Sequence, residues 1–215
     1  MNMKNRVLTK LSTNLIKTLG TAAGAFVLAA VATSALCAAA GQPAPDFTLT
    51  DTHGKAVHLS DYRGKYVVLE WTNPDCPFVQ RHYNTRNMPE LQKEWGARDV
   101  TWLSIDSSSR VSGAYKTAAQ LNTWMGAHEG SQNAVLIDSD SATARLYAAK
   151  TTPHMFVINP EGRIVYAGAI DDRPGASAAE TGKAKNYVRT ALAAATREAA
   201  VDPAQTTPYG CSIEY

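Results

Sequence analysis

The stretch Leu69-Glu70-Trp71-Thr72-Asn73-Pro74-Asp75-Cys76-Pro77-Phe78-Val79 constrains this chain more than any other. An apolar run rich in β-formers, residues 66–71, gives way to a turn, a cysteine and a helical pattern. That pattern opens on Pro77, and a proline in the first helical turn loses nothing by lacking an N–H. Cys76 therefore falls where a strand hands over to a helix N-terminus. Unpaired backbone N–H groups and the positive end of the macrodipole favour an anion there, and a thiolate is one. Its place between Pro74-Asp75 and Pro77, outside any apolar run, marks it as a reactive thiol rather than a core cysteine. The Asp75 carboxylate opposes ionisation unless it turns to solvent.

The first 40 residues read as a leader. Lys4, Arg6, Lys10 and Lys17 stand without an acid, an apolar segment follows, and Ala38-Ala39-Ala40 offers a small-residue cleavage site. The pattern is that of a signal peptide exporting the chain to the periplasm, with an uncleaved anchor as the alternative. Cys37 leaves with the leader. Cleavage removes four of 21 basic residues and none of 19 acidic ones, so the remainder carries 17 against 19. A formal charge of −2 gives no argument for a nucleic-acid partner, nor for a membrane partner once the leader is gone. About 175 residues remain, enough for one domain with a sizeable core. Two cysteines, Cys76 and Cys211, are too few to staple such a domain; in an oxidising setting they are a pair or two separate reactive thiols.

Residues 41–45 read as a linker. Two short strands, 47–50 and 56–59, make a hairpin around Asp51-Thr52-His53-Gly54. After the strand at 66–71, a helix runs from Pro77 towards Trp95, and Pro89 predicts a kink about one turn before it. Strands are expected at 100–105 and 134–138, helices at 116–127 and 141–147, the latter with Ser141 as N-cap. Residues 155–158 and 164–168 flank the turn Asn159-Pro160-Glu161-Gly162. A polar loop at 171–183 leads to a last helix at 186–200, and 201–215 is a tail without periodicity. Alternation of this kind predicts an α/β fold: a central mixed sheet, helices on both faces and an N-terminal β-hairpin.

Thr151-Thr152-Pro153-His154 precedes the strand at 155–158, and a proline at a strand start marks an edge or a special turn, where a cis bond at Thr152-Pro153 is unsurprising. With the strand, turn, cysteine and helix at Cys76, and with Ala44-Pro45-Asp46-Phe47 and Met88-Pro89-Glu90-Leu91, the chain resembles the thioredoxin-like superfamily. It is most similar there to the exported AhpC/TSA-type redoxins and the TlpA-like thiol oxidoreductases. The resemblance covers residues 44–168 and implies a thioredoxin-like domain at 41–200, with Cys76 as the catalytic nucleophile. It further implies a cis-proline at Pro153 packed against that sulfur, and Thr152 offering backbone bonds to a bound thiol partner. No cofactor and no metal is implied. The implied partners are protein or small-molecule thiols and disulfides, or peroxides, with an external thiol reductant.

Two departures narrow this. Thioredoxins carry a second cysteine three positions after the first, and here Val79 stands there. Peroxiredoxins carry a threonine three before the reactive cysteine and an arginine near the strand start, and here Asn73 and Pro153 stand there. Asn73 is left as the hydrogen-bond donor at that position. Cys211, in Thr207-Pro208-Tyr209-Gly210-Cys211-Ser212, is a candidate resolving cysteine on a mobile tail. A surface thiol or a static bridge remain as alternatives. His82 and His154 are candidate proton donors or metal ligands, without a metal-ligand spacing. Arg81 and Arg86 read as solvated, while Trp71, Trp102, Tyr66 and Phe156 read as core. The function implied is an exported, antioxidant thiol-disulfide oxidoreductase. A one-cysteine peroxidase and a redox-inactive binding module stay open.

Overall fold

The computed structural model describes residues 38–214. The leader expected at 1–40 thus lies, up to position 37 and with Cys37, outside the described residues. The strands β1 (Thr48–Asp51) and β2 (Ala56–His58) form the expected hairpin, Leu49 opposite Val57. A 3-10 turn, Leu59–Tyr62, leads to β3 (Val67–Trp71). There follow α1 (Pro77–Asn84), α2 (Asn87–Gly96), β4 (Thr101–Asp106), α3 (Ala118–Ala127), β5 (Ala134–Ile137) and α4 (Ala142–Leu146). The last part of the chain holds β6 (Thr151–Thr152), β7 (His154–Ile158), β8 (Ile164–Gly168), α5 (Ala178–Thr181), α6 (Tyr187–Ala195) and β9 (Cys211–Ser212).

Seven strands make one mixed sheet in the order β2-β1-β5-β4-β3-β7-β8, and β6 pairs with β9 in a separate two-stranded ribbon. Parallel pairing joins β3, β4 and β5, whereas β7 and β8 run antiparallel. The two-residue period of β3 splits the core. Val67, Leu69 and Trp71 pack with Phe47, Leu59, Tyr147 and Phe156, while Val68 packs with Val79, Met88, Leu91, Trp95 and Leu192 on the other face. Each such side chain contributes about 1.5–3 kcal/mol on burial. Trp71, Trp102 and Phe156 are core residues as expected, and Tyr66 sits at the core margin with its hydroxyl donating to Ala195 O.

Several local features differ from the sequence reading. The expected kink is a full break: Arg86 takes a left-handed backbone (φ 61°) between α1 and α2, and Pro89 lies in the first turn of α2. Ser141 does precede α4, but its hydroxyl donates to Ser107 O instead. The capping task falls to Asp138, whose carboxylate accepts from the Thr143 and Ala144 N–H groups. The loop at 171–183 holds the short helix α5, started by a capping box between Ser177 and Glu180. The last helix stops at Ala195 rather than near 200. The linker at 41–45 is tied to the sheet, since Gly41 N donates to Ile164 O and Ile164 N to Gln42 O.

The tail departs most from expectation. It runs back along the domain: Ala167 N donates to Ala204 O, Thr206 N donates to Ala167 O, and Ala169 N donates to Thr206 Oγ1. Gly168 makes this close approach possible, because a Cβ there would lie 2.2 Å from Thr206 Oγ1 and its φ is 148°. The segment then pairs through β9 with β6, Thr152 opposite Cys211. A two-residue strand shows no periodicity, so its sequence reads as irregular.

Candidate functional site

The parallel strands β3 and β4 end side by side, and the turn after β3 is fixed by Asn73. Its side-chain oxygen accepts from Asp75 N (2.7 Å), and its amide donates to Ser108 Oγ (2.6 Å) and Ala114 O (3.3 Å). Both amide hydrogens are committed to holding loops, so the donor role expected of Asn73 towards a substrate is already filled. Cys76 is the N-cap of α1, with extended backbone (φ −75°, ψ 118°) and Pro77 at the first helical position. Its carbonyl accepts the first helical bond, from Gln80 N at 2.9 Å.

Cys76 is buried, only 2% exposed, and belongs to the apolar cluster around Val68, where the sequence marked it as a thiol outside the core. The cause lies far along the chain: β6 and the tail strand β9 lie against it. The Cys76 thiol donates to Thr152 O at 2.9 Å, and the Thr152-Pro153 peptide is cis. Cys211 sits opposite Thr152, whose carbonyl accepts from the Cys76 thiol, and both cysteines are free thiols. Burial pushes the Cys211 thiol up to about 12, and the neighbouring Cys76 sulfur adds to the rise. The Phe78 N–H, at the start of α1, acts on the Cys211 sulfur in the opposite direction. At neutral pH Cys211 is therefore protonated.

Both cysteines open onto one cavity of about 150 Å³ whose walls include Thr72, Asn73, Ser107 and Ser108. Among the described residues the hydroxyl oxygens of Thr72 and Thr152 have no hydrogen-bond partner. The opposing charge of Asp75 is met by Lys116, with which it forms an ion pair. Asp106, at the end of β4, keeps one carboxylate oxygen without a partner among the described residues, and burial raises its pKa to about 6.

The tail is anchored by a group of residues that sequence reasoning did not assemble. The Tyr209 hydroxyl donates to Asp171 Oδ1 and accepts from Arg81 Nη2 (3.0 Å); it lies 3.1 Å from His82 Nε2. Arg81 also donates to Pro174 O and Ala176 O, so it is part of this latch and not the solvated side chain expected. Arg86 is exposed and paired with Glu129. His82 is fully buried, and its Nδ1 lies 2.8 Å from Asn87 Nδ2. Arg81 Nη2 also lies 3.2 Å from His82 Nε2. Burial, reinforced by Arg81, lowers His82 to about 3, and burial with Lys150 lowers His154 to about 3. Neither ring is a proton donor at neutral pH. Lys150 N donates to His154 Nδ1 at 3.2 Å. Among the described residues no cluster of three His, Cys, Asp or Glu could hold a metal ion.

A second buried group was also missed. Glu70 is completely buried and accepts from Tyr83 Oη (3.1 Å), Gln92 Nε2 (3.2 Å), Trp102 Nε1 (2.7 Å) and Ser104 Oγ (3.0 Å). Burial raises its pKa, and these donors oppose the rise. A charged residue inside an otherwise apolar strand was the signal that could have found it.

The thiol-disulfide oxidoreductase ResA of Bacillus subtilis (strain 168) is 30% identical over 125 residues, 58% of this chain. The chain spans 64% of that relative's length. The crystal structure of an uncharacterized conserved protein from Geobacillus kaustophilus superposes with a TM-score of 0.73 at 24% identity, covering 84% of this chain and 94% of that one. A proposed thiol:disulfide interchange protein from Chlorobium tepidum does so with 0.50 at 23% identity, covering 60% and 83%. Residues 40–167, more than half the chain, match the AhpC/TSA family. With its mixed sheet, its cysteine at the start of α1 and a cis Thr152-Pro153 bond whose Thr152 carbonyl accepts from that cysteine, this chain belongs to the AhpC/TSA family and has a thioredoxin-like fold.

Proposed function

We propose that the chain is a thiol-disulfide oxidoreductase in which Cys76 is the nucleophile and Cys211 resolves the adduct. The observation that carries this is the meeting of two free thiols, 135 positions apart in sequence, at one cavity beside Thr152-Pro153. The similarity to a named thiol-disulfide oxidoreductase supports it.

In the proposed cycle the Cys76 thiolate attacks one sulfur of a substrate disulfide. The S–S bond breaks, one half leaves as a thiolate that takes up a proton, and the other half stays on Cys76 as a mixed disulfide. Cys76 no longer carries charge at that point, so its share of the upward push on Cys211 vanishes. Cys211 loses its proton and attacks the Cys76 sulfur, the second half of the substrate leaves as a thiol, and a Cys76–Cys211 disulfide remains. An external dithiol then reduces it and is oxidised in turn. The leader at 1–40, with its basic start and small-residue cleavage site, supports export to the periplasm, where such chemistry operates.

The experiment is a mass measurement of the reduced protein after one equivalent of a disulfide. The native sequence is expected to lose two hydrogens without retaining an adduct. Cys211→Ser is expected to retain a mixed disulfide on Cys76, and Cys76→Ser to give no bridge. Equal adduct on the native chain and on Cys211→Ser would overturn the resolving role.

A further inference from the structure

In the architecture described above, an extended disulfide substrate would align its backbone with Thr152, next to the attacking sulfur, as polypeptides do when they add to an open strand. Here that position is taken by the chain itself. Thr152 pairs with Cys211 and Thr151 with Ser212, and Ile213 N donates to Lys150 O at 3.1 Å. Gly210 fits against the same backbone so tightly that a Cβ would lie 2.0 Å from Thr152 O, at a φ of 139°. One residue earlier, Tyr209 locks the strand to α1 and to Asp171 through the contacts with Arg81 and His82.

From this we infer that β9 is a built-in occupant of the substrate strand position, and that the closed protein takes a low-molecular-weight disulfide rather than an extended polypeptide. The inference rests on the thiol-disulfide reading above and adds the substrate class. What remains open beside Cys76 is the cavity of about 150 Å³. A void of that size accepts a molecule of roughly benzene's bulk. A strand must instead lie about 4.8 Å from its neighbour and use the neighbour's N–H and C=O groups, which Cys211 and Ser212 already occupy. Tyr209 is then a positioning residue: it touches no substrate but decides whether the strand position is filled.

The step balances without further reagents. A small disulfide RS–SR meets the Cys76 thiolate, the S–S bond breaks, RS⁻ departs and takes a proton, and Cys76–S–SR forms. Cys211, already in place, displaces the second RS⁻ and leaves the protein disulfide, so RS–SR is reduced by two electrons and the cysteine pair is oxidised by two.

The test compares two probes on the reduced full-length protein. One is 2-hydroxyethyl disulfide; the other is an unstructured ten-residue peptide whose single cysteine carries the same 2-hydroxyethylthio group. Second-order rates of thiol release are measured for the native chain, for Tyr209→Phe, which removes the latch hydroxyl, and for Gly210→Ala, which pushes the strand off Thr152. The native chain is expected to react at least tenfold faster with the small probe, and at least one variant to narrow that ratio to within threefold. General loss of structure would change both rates together, so the ratio isolates the occupied strand. Equal rates on the native chain, or a ratio unchanged in both variants, would overturn the inference. Failure of the parent reading has a different signature: neither probe would modify Cys76 in any form, and Cys76→Ser would match the native chain.

Discussion

Closing the bond between Cys76 and Cys211 is the perturbation whose size follows most directly from the geometry. The two cysteines stand 135 positions apart, and a cross-link over a loop of that length removes about 5 kcal/mol of denatured-state entropy on the chain-entropy relation. Strain would subtract from this if the native backbone had to move. Here Cys211 is already held by pairing with Thr152 and by the Tyr209 latch, at the cavity it shares with Cys76, so most of the gain is expected to survive. In a domain of this size each 1 kcal/mol raises the midpoint by about 2–4 °C, which gives about 10–20 °C between the reduced and bridged forms. Calorimetry of the diamide-oxidised and dithiothreitol-reduced protein, with the bridge counted by mass, measures it. Cys211→Ser is expected to show no redox-dependent shift. If the bridge closes and the midpoint stays within 2 °C, the entropic reasoning fails; if stoichiometric diamide closes no bridge, the adjacency of the thiols fails.

Other outcomes follow from the buried groups. Replacing Glu70 by Ala strands four buried donors and is expected to cost about 3–5 kcal/mol in a urea titration, with a loss under 1 kcal/mol counting against the network. His82 and His154 are held at about 3 against an ordinary 6.5. The unfolded chain binds protons there first, so their contribution is complete above 6.5 and drains away as pH falls towards 3; thermal midpoints at pH 4 and pH 7 check the sign. Asp106 works in the opposite sense. Its carboxyl is raised from 3.8 to about 6, so the native state is favoured below 3.8 and loses up to about 3 kcal/mol as pH climbs through 6. Asp106→Asn is therefore expected to gain on the native chain across that interval, and parallel pH curves would refute it.

The parts of the molecule that were legible from sequence are those where a local pattern meets a local need. The strand into Cys76, Pro77 at the helix start, the hairpin turns and the special proline at Thr152-Pro153 all state their geometry within a few residues. What stayed hidden depends on residues far apart. The burial of Cys76 results from a two-residue strand near position 211, too short to show a period. The latch draws Arg81 and His82 from α1, Asp171 from beyond β8 and Tyr209 from the tail, and none of these is unusual where it stands. Helix α4 shows the same at small scale, with Asp138 capping in place of the Ser141 hydroxyl, which donates instead to Ser107 O, 34 positions earlier in the chain.

The meeting of Cys76 with Cys211 also imposes an order in time. At a synthesis rate of about 5–20 residues per second, the first cysteine leaves the ribosome roughly 7–27 s before the second. Thr152 precedes Cys211 by 59 positions, so for roughly the last 3–12 s of that interval the groove beside Thr152 stands empty, and a nascent chain presents an uncovered thiol that the finished protein keeps under β9.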